Sequence, residues 1–323
     1  MMDKNLDIAD YRFYGLRDEQ DWGTAVKKLS LFLMALAMPS MAMADETNTD
    51  ADAAAAAKKA RETVLFLNIR RIGLELSKTQ VRNTAEYTDS PIQALKATSQ
   101  DFIKGIADMA LEYRKKKFKW DNSLFMEYGQ TTLKPYDGPE TSDENADKIL
   151  LASDLSYACW EFGGFKFGPM VGVQYETEFV GDPRQNIVRS NVGISLFDHH
   201  VLKSLYLAGV HEYDFTYAHE QTSKLGVELG WRVEYKIRDG VKLSTNGYYR
   251  EYLDYSRYVS TDLERDLSAV LRLDTNLWGN FTMGPYAQYR LAKSRGADVY
   301  GSNFIIGISF NYITRFGLLD VDE

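Results

Sequence analysis

The sequence predicts an all-β protein, an antiparallel up-and-down transmembrane β-barrel of about twelve strands, on three observations. Apolar and polar residues alternate over long segments. Tight turns and longer loops divide those segments in strict succession, as short periplasmic turns and longer extracellular loops should. A short export signal precedes them.

Composition narrows the field first. The 323 residues carry 38 Lys and Arg against 46 Asp and Glu, and hold no basic cluster large enough to track a phosphate backbone, so nucleic acid is not an expected partner. Cys159 is the single cysteine, which excludes an intramolecular disulfide framework and a Cys-rich zinc site. Neither a metal nor a cofactor is expected. Gly at 23 and Tyr at 21 against 7 Pro suit a β-rich chain with many turns and interfacial rings.

Taken from the N-terminus, residues 1–25 read as an over-called extension, because Asp3, Asp7, Asp10, Asp18, Glu19 and Asp21 oppose a positive leader, and translation is expected from Val26. Residues 26–44 read as a signal peptide: Lys27 and Lys28, an apolar run Leu29–Met38 too short to span a bilayer as a helix, then Ala42-Met43-Ala44. Residues 45–62 are a low-complexity periplasmic leader.

The barrel is placed at 63–316. In 225–238, Leu225, Val227, Leu229, Trp231, Val233, Tyr235 and Ile237 share one parity, and Glu228, Arg232, Glu234 and Lys236 the other. In a strand these sets face opposite ways, lipid on one side and lumen on the other. Soluble strands usually run to about five or six residues, so the length itself favours a membrane wall. The pattern recurs at Phe165–Phe179 with Glu176 and Glu178 on the polar face, at Leu263–Leu277 with Asp266 and Arg272, and at Phe304–Phe316. It is weakest in 64–77, where Arg70 and Arg71 are adjacent, and in 147–161, where Leu150 adjoins Leu151. The twelve segments fall near 63–78, 101–114, 118–133, 147–161, 165–180, 187–197, 203–217, 223–237, 241–255, 261–276, 281–294 and 302–316. Gly168-Pro169 and Gly284-Pro285 repeat after aromatic-flanked turns, and a Pro inside a strand removes a ladder donor, so each should mark a bulge or bend. Loop 79–100 carries Ala85, Pro91, Ile92, Ala94 and Leu95, more apolar than a free loop needs. Residues 317–323 read as a tail.

The last strand, with Ile308, Phe310, Tyr312 and Phe316 on alternate positions, resembles the C-terminal signal of bacterial outer-membrane barrels; it departs at Thr314 and in the residues beyond Phe316. Lys119-Trp120-Asp121-Asn122-Ser123-Leu124, Glu127-Tyr128-Gly129, Asp147-Lys148-Ile149-Leu150 and Tyr175-Glu176-Thr177-Glu178-Phe179 resemble an uncharacterised Gram-negative outer-membrane family, a domain of unknown function. The resemblance spans about 100–316. It implies an outer-membrane barrel, with membrane lipids and the barrel assembly machinery as partners, and supplies no activity.

Catalysis is a weak alternative. None of His199, His200, His211 and His219 is followed by Ser at the second position, and no G-x-S-x-G elbow is present. Glu212, Asp214 and His219 are the candidates for acid–base work at the rim. Three functions stay open: a narrow pore lined by Glu176, Glu178, Glu228, Arg232, Glu234, Lys236, Asp266 and Arg272 that passes small solutes or ions; a plugged structural or surface-interaction barrel; and a rim hydrolase.

Overall fold

The computed structural model describes residues 61–323 other than 88, 97–100, 134–140, 182, 218 and 323. The extension, the signal peptide and nearly all of the leader lie outside the described residues.

Thirteen strands pair antiparallel in chain order: β1 (Arg61–Arg82), β2 (Asp101–Lys115), β3 (Phe118–Leu133), β4 (Thr141–Tyr157), β5 (Trp160–Phe162), β6 (Phe165–Thr177), β7 (Asn186–Phe197), β8 (Leu202–Asp214), β9 (Thr222–Arg238), β10 (Val241–Tyr255), β11 (Leu263–Trp278), β12 (Phe281–Ser294) and β13 (Gly301–Asp322). Because β1 pairs with both β2 and β13, the sheet closes on itself and its backbone groups find partners without water. Twelve strands form the wall. β5 is a three-residue addition on β6, below the point where β4 stops. A single turn of helix, α1 (Gln93–Lys96), follows a 3-10 turn at Thr84–Glu86 in the β1–β2 connection.

Burial along the wall is inverted relative to a water-soluble protein. On β9, Leu225, Val227 and Leu229 are exposed while Lys224 and Glu228, of the opposite parity, are buried. Val192, Leu207, Ile306 and Ile308 continue the outward apolar belt. Trp160, Phe162, Trp278 and Phe281 ring the short-turn end, and Tyr213, Tyr217, Tyr258 and Tyr289 the long-loop end. An apolar band between two aromatic girdles requires lipid around it.

The strand pattern departs from its sequence reading where a residue breaks the ladder. Pro169 cannot donate, and there the β4–β6 pairing ends; Cys159 N–H donates instead to the Phe167 carbonyl at 2.9 Å, and β5 resumes one residue out of register. This is the bend expected of Gly168-Pro169. At Gly284-Pro285 the β11 ladder likewise skips Leu273 and Asp274. Arg70 and Arg71 sit on a bulge between Ile69 and Ile72, which turns both side chains into the lumen. A register shift between Leu263 and Arg265 turns Leu263 inward at the mouth, away from the lipid face its parity assigns. β8 stops at Asp214, three residues short of expectation, because the Asp214 carboxylate accepts from Thr216 N–H and turns the chain. Residues 317–322 are wall and not a tail: β13 continues to Asp322 opposite Arg61, since β1 begins early enough to offer it a partner.

Gly163 and Gly164 both take positive φ, 55° and 78°, as a two-residue hairpin turn between right-twisted strands demands.

Candidate functional site

The interior is the place to look for chemistry, because the closed wall turns one side chain in two toward it. These are charged and arranged in partnered sets. Glu212 on β8 is the hub: it takes Arg189 from β7 at 2.6 Å, Lys224 from β9 at 2.7 Å and Arg250 from β10 at 3.8 Å, and accepts from the Tyr252 hydroxyl. Glu228 binds Arg250 and accepts from Tyr206 at 2.5 Å. Glu176 binds Lys148 at 2.9 Å and Arg189. Lys104, 1% exposed, joins Glu75 at 3.1 Å and Glu127 at 3.0 Å, and reaches over β1 and β13 to Gln288 on β12 at 3.2 Å. Arg290 and Tyr248 hold Asp266, and Arg272 holds Asp274. Charges withdrawn from water persist only when paired in this way.

The long-loop end is covered. At the long-loop end the β1–β2 connection folds across the mouth. Tyr87 is 1% exposed and its hydroxyl lies 3.0 Å and 2.7 Å from the carbonyls of Ala292 and Val299. Ile92 and Leu95 pack with Tyr252, Leu263 and Ala297 into an apolar cluster. Asn303 donates to the Ala94 carbonyl at 2.5 Å, and Gln185, from the β6–β7 connection, donates to the Pro91 carbonyl at 3.3 Å. The apolar character of this loop in the sequence is thus spent on closing the mouth.

At the short-turn end Asp198, in the left-handed region at φ 64°, pairs with Arg114 at 3.1 Å, Lys166 at 3.3 Å and Lys119 at 3.8 Å. Beside it His199 stacks on Phe165, and its Nδ1 accepts from Val201 and Leu202 N–H at 3.3 and 3.2 Å. Burial, then the neighbouring His200 and Lys203, push the His199 imidazole below its usual value. The neutral ring is therefore the one the fold favours. Its contribution is complete above the ordinary imidazole range and is lost as pH falls through the lowered value. We expect the His199 resonance to titrate below the ordinary imidazole range, with the 198–202 turn becoming protease-sensitive only under acid; titration within that range would remove this role.

The sequence-assigned residues fall into two groups. Glu176, Glu228, Glu234, Asp266, Arg272 and Arg232 face the lumen within the wall. Glu178 lies past the end of β6 at the mouth, near Gln185 N–H at 3.3 Å, and Lys236 stands at the exposed lower lip with Asp239. Glu212, Asp214 and His219 are not brought together: Glu212 is locked in the hub, Asp214 caps a turn, and His219 is exposed in the loop beyond. His211 points outward and Glu212 inward, so the two cannot share a ligand. A cleft of about 570 Å³ opens outside the hub, beside Tyr255, Tyr258, Arg265 and Arg295. Sequence parity missed Arg189, Arg250, Asp154 and Asn191; their alternation marks them as inward, but nothing local marks which of them find partners.

The barrel architecture rests on this pairing pattern. Among solved structures, outer membrane phospholipase A from Escherichia coli is similar at 13% identity over 75% of this chain and 90% of that one, with a TM-score of 0.41. An outer membrane channel from Pseudomonas putida F1 is similar at 11% identity over 84% and 100%, TM-score 0.41, and the outer membrane channel DcaP of Acinetobacter baumannii at 10% over 80% and 98%, TM-score 0.37. No curated protein matches the sequence. Residues 97–181 match the model of a family described as a protein of unknown function, DUF3078, which bears out the resemblance to an uncharacterised family over that segment.

Proposed function

We propose that this chain is a narrow pore of a Gram-negative outer membrane, closed at rest, which admits small solutes or ions when the β1–β2 connection leaves the mouth. The observation that supports it most is the nature of the cover. Residues 84–87 and 89–96 close the mouth with one turn of helix, a small apolar cluster and a few side-chain hydrogen bonds, while the wall around them is continuous strand. Segments with so little backbone pairing open at low cost relative to the strands. Twelve strands enclose more space than the roughly eight whose side chains fill a barrel, and less than the roughly sixteen of a wide channel. Outer-membrane lipids and the assembly machinery are the partners this reading requires.

The partnered charges below the cover favour a second reading, a structural barrel whose interior never opens. Planar-bilayer recording separates the two. The full chain is expected to be silent, and a variant with residues 84–96 replaced by a short Gly-Ser link is expected to show discrete conductance steps with a salt-gradient reversal potential. A folded loop variant that stays silent would establish the structural barrel.

A further inference from the structure

The cleft of about 570 Å³ at the long-loop end, the extracellular end of a bacterial barrel, carries side chains that a pore does not need. It is built from the last residues of β10, the first of β11 and the two connections above them, and its size is that of a small-molecule site. The two connections are pinned to each other. Gly296 N–H donates to the Ser260 carbonyl at 2.8 Å, and a Cβ on Gly296 would stand 2.7 Å from that of Ser260. Beside them Arg295 N–H donates to the Asp262 carbonyl at 2.9 Å. The walls are therefore in place before any ligand arrives.

Arg295 gives the cleft its chemistry. Its guanidinium carbon lies 4.1 Å from the centre of the Tyr255 ring and 4.6 Å from that of Tyr258, and one of its nitrogens donates to the Arg257 carbonyl at 3.3 Å. Two aromatic rings and a carbonyl thus hold the guanidinium in position. The other two arginines of the lining are occupied, Arg257 by Glu220 at 3.3 Å and Arg265 by Glu251 at 3.2 Å. Among the described residues no carboxylate comes within 4.0 Å of the Arg295 guanidinium, and neither Asp254 nor Glu264, which line the same cleft, meets a cation within that distance. Tyr258 is 66% exposed, so much of its ring stays open.

One cavity therefore offers a fork of donors, two acceptor carboxylates and an open aromatic ring. A small anion is drawn to Arg295 but repelled by Asp254 and Glu264, and a small cation meets the reverse. A neutral polyol escapes both penalties, because a hydroxyl accepts from a guanidinium N–H and donates to a carboxylate at the same time. Hydrogen bonds to charged partners are also the stronger kind. The C–H face of a sugar ring covers an aromatic ring by burial and dispersion. We propose that this cleft binds a neutral saccharide, its hydroxyls shared between the Arg295 guanidinium and the Asp254 and Glu264 carboxylates, its ring against Tyr258. The site goes beyond the pore and does not depend on it, since the cleft is present with the mouth closed.

The test is saturation-transfer NMR on the folded full chain in lauryldimethylamine oxide micelles, a detergent without sugar, with glucose, galactose, maltose and lactose as probes. At least one is expected to bind with a Kd in the millimolar range or below. Arg295→Gln and Glu264→Gln should each weaken that binding about tenfold or more, and Tyr258→Ala about fivefold. Glu264→Gln and Tyr258→Ala remove no ion pair or side-chain hydrogen bond among the described residues, so both are expected to fold even if Arg295→Gln, which gives up two ring contacts, does not. Glucosamine and glucuronate should bind more weakly than the neutral sugar, because each meets a like charge. No binding by any of the four sugars to folded chain, parental affinity in both Glu264→Gln and Tyr258→Ala, or tighter binding of glucuronate than of every neutral sugar would overturn the site. A loop variant that stays silent in the planar bilayer fails the pore alone.

Discussion

Replacing Glu212 by alanine should cost the barrel about 3–5 kcal/mol, read as a fall in the urea midpoint of the folded chain in lipid vesicles. The carboxylate is 1% exposed and gathers Arg189, Lys224 and Arg250 from the three strands around it. Truncation leaves three cations and the Tyr252 hydroxyl converging on an empty, water-poor space, so the loss comes from charges left behind and not from the methylene groups removed. Glu212→Gln keeps the shape and one acceptor and should lose less. If Glu212→Ala unfolds within about 0.5 kcal/mol of the parent, the hub does not hold the interior together. A rim hydrolase would respond differently, losing turnover while keeping its midpoint.

A charge on the outer face should cost nearly as much. Val192, at the centre of β7, is 66% exposed on the apolar belt, and Val192→Arg is expected to lower stability in vesicles by about 2–4 kcal/mol. On a surface facing water the same change would stay within about 0.5 kcal/mol. The sign therefore reports the solvent: a neutral result would place this face against water or protein in place of lipid chains.

These two substitutions also divide what was legible in the sequence from what was not. Val192 is outward and Glu212 inward by parity alone, because a strand turns successive side chains to opposite faces whatever its neighbours do. The same local rule delivered the strand number and the order of short and long connections. It faltered where the period itself breaks. Arg70 and Arg71 share the lumen through a bulge, Leu263 turns inward through another, and β4 stops at Tyr157 because Pro169 on its neighbour has no proton to give.

The apolar residues of loop 79–100 announced that it packs against something, and only the closed barrel supplied the mouth for Ile92 and Leu95 to cover. The continuation of β13 to Asp322 depended in the same way on how far β1 extends at the other end of the chain.

By itself, then, the sequence determined that this is a lipid-facing closed barrel with a charged interior, since alternation over long strands is a local property that each segment carries alone. The tertiary structure decided which charges meet. Lys104 reaches Gln288 and Arg114 reaches Asp198, because register and closure bring together residues whose separation along the chain gives no sign of it.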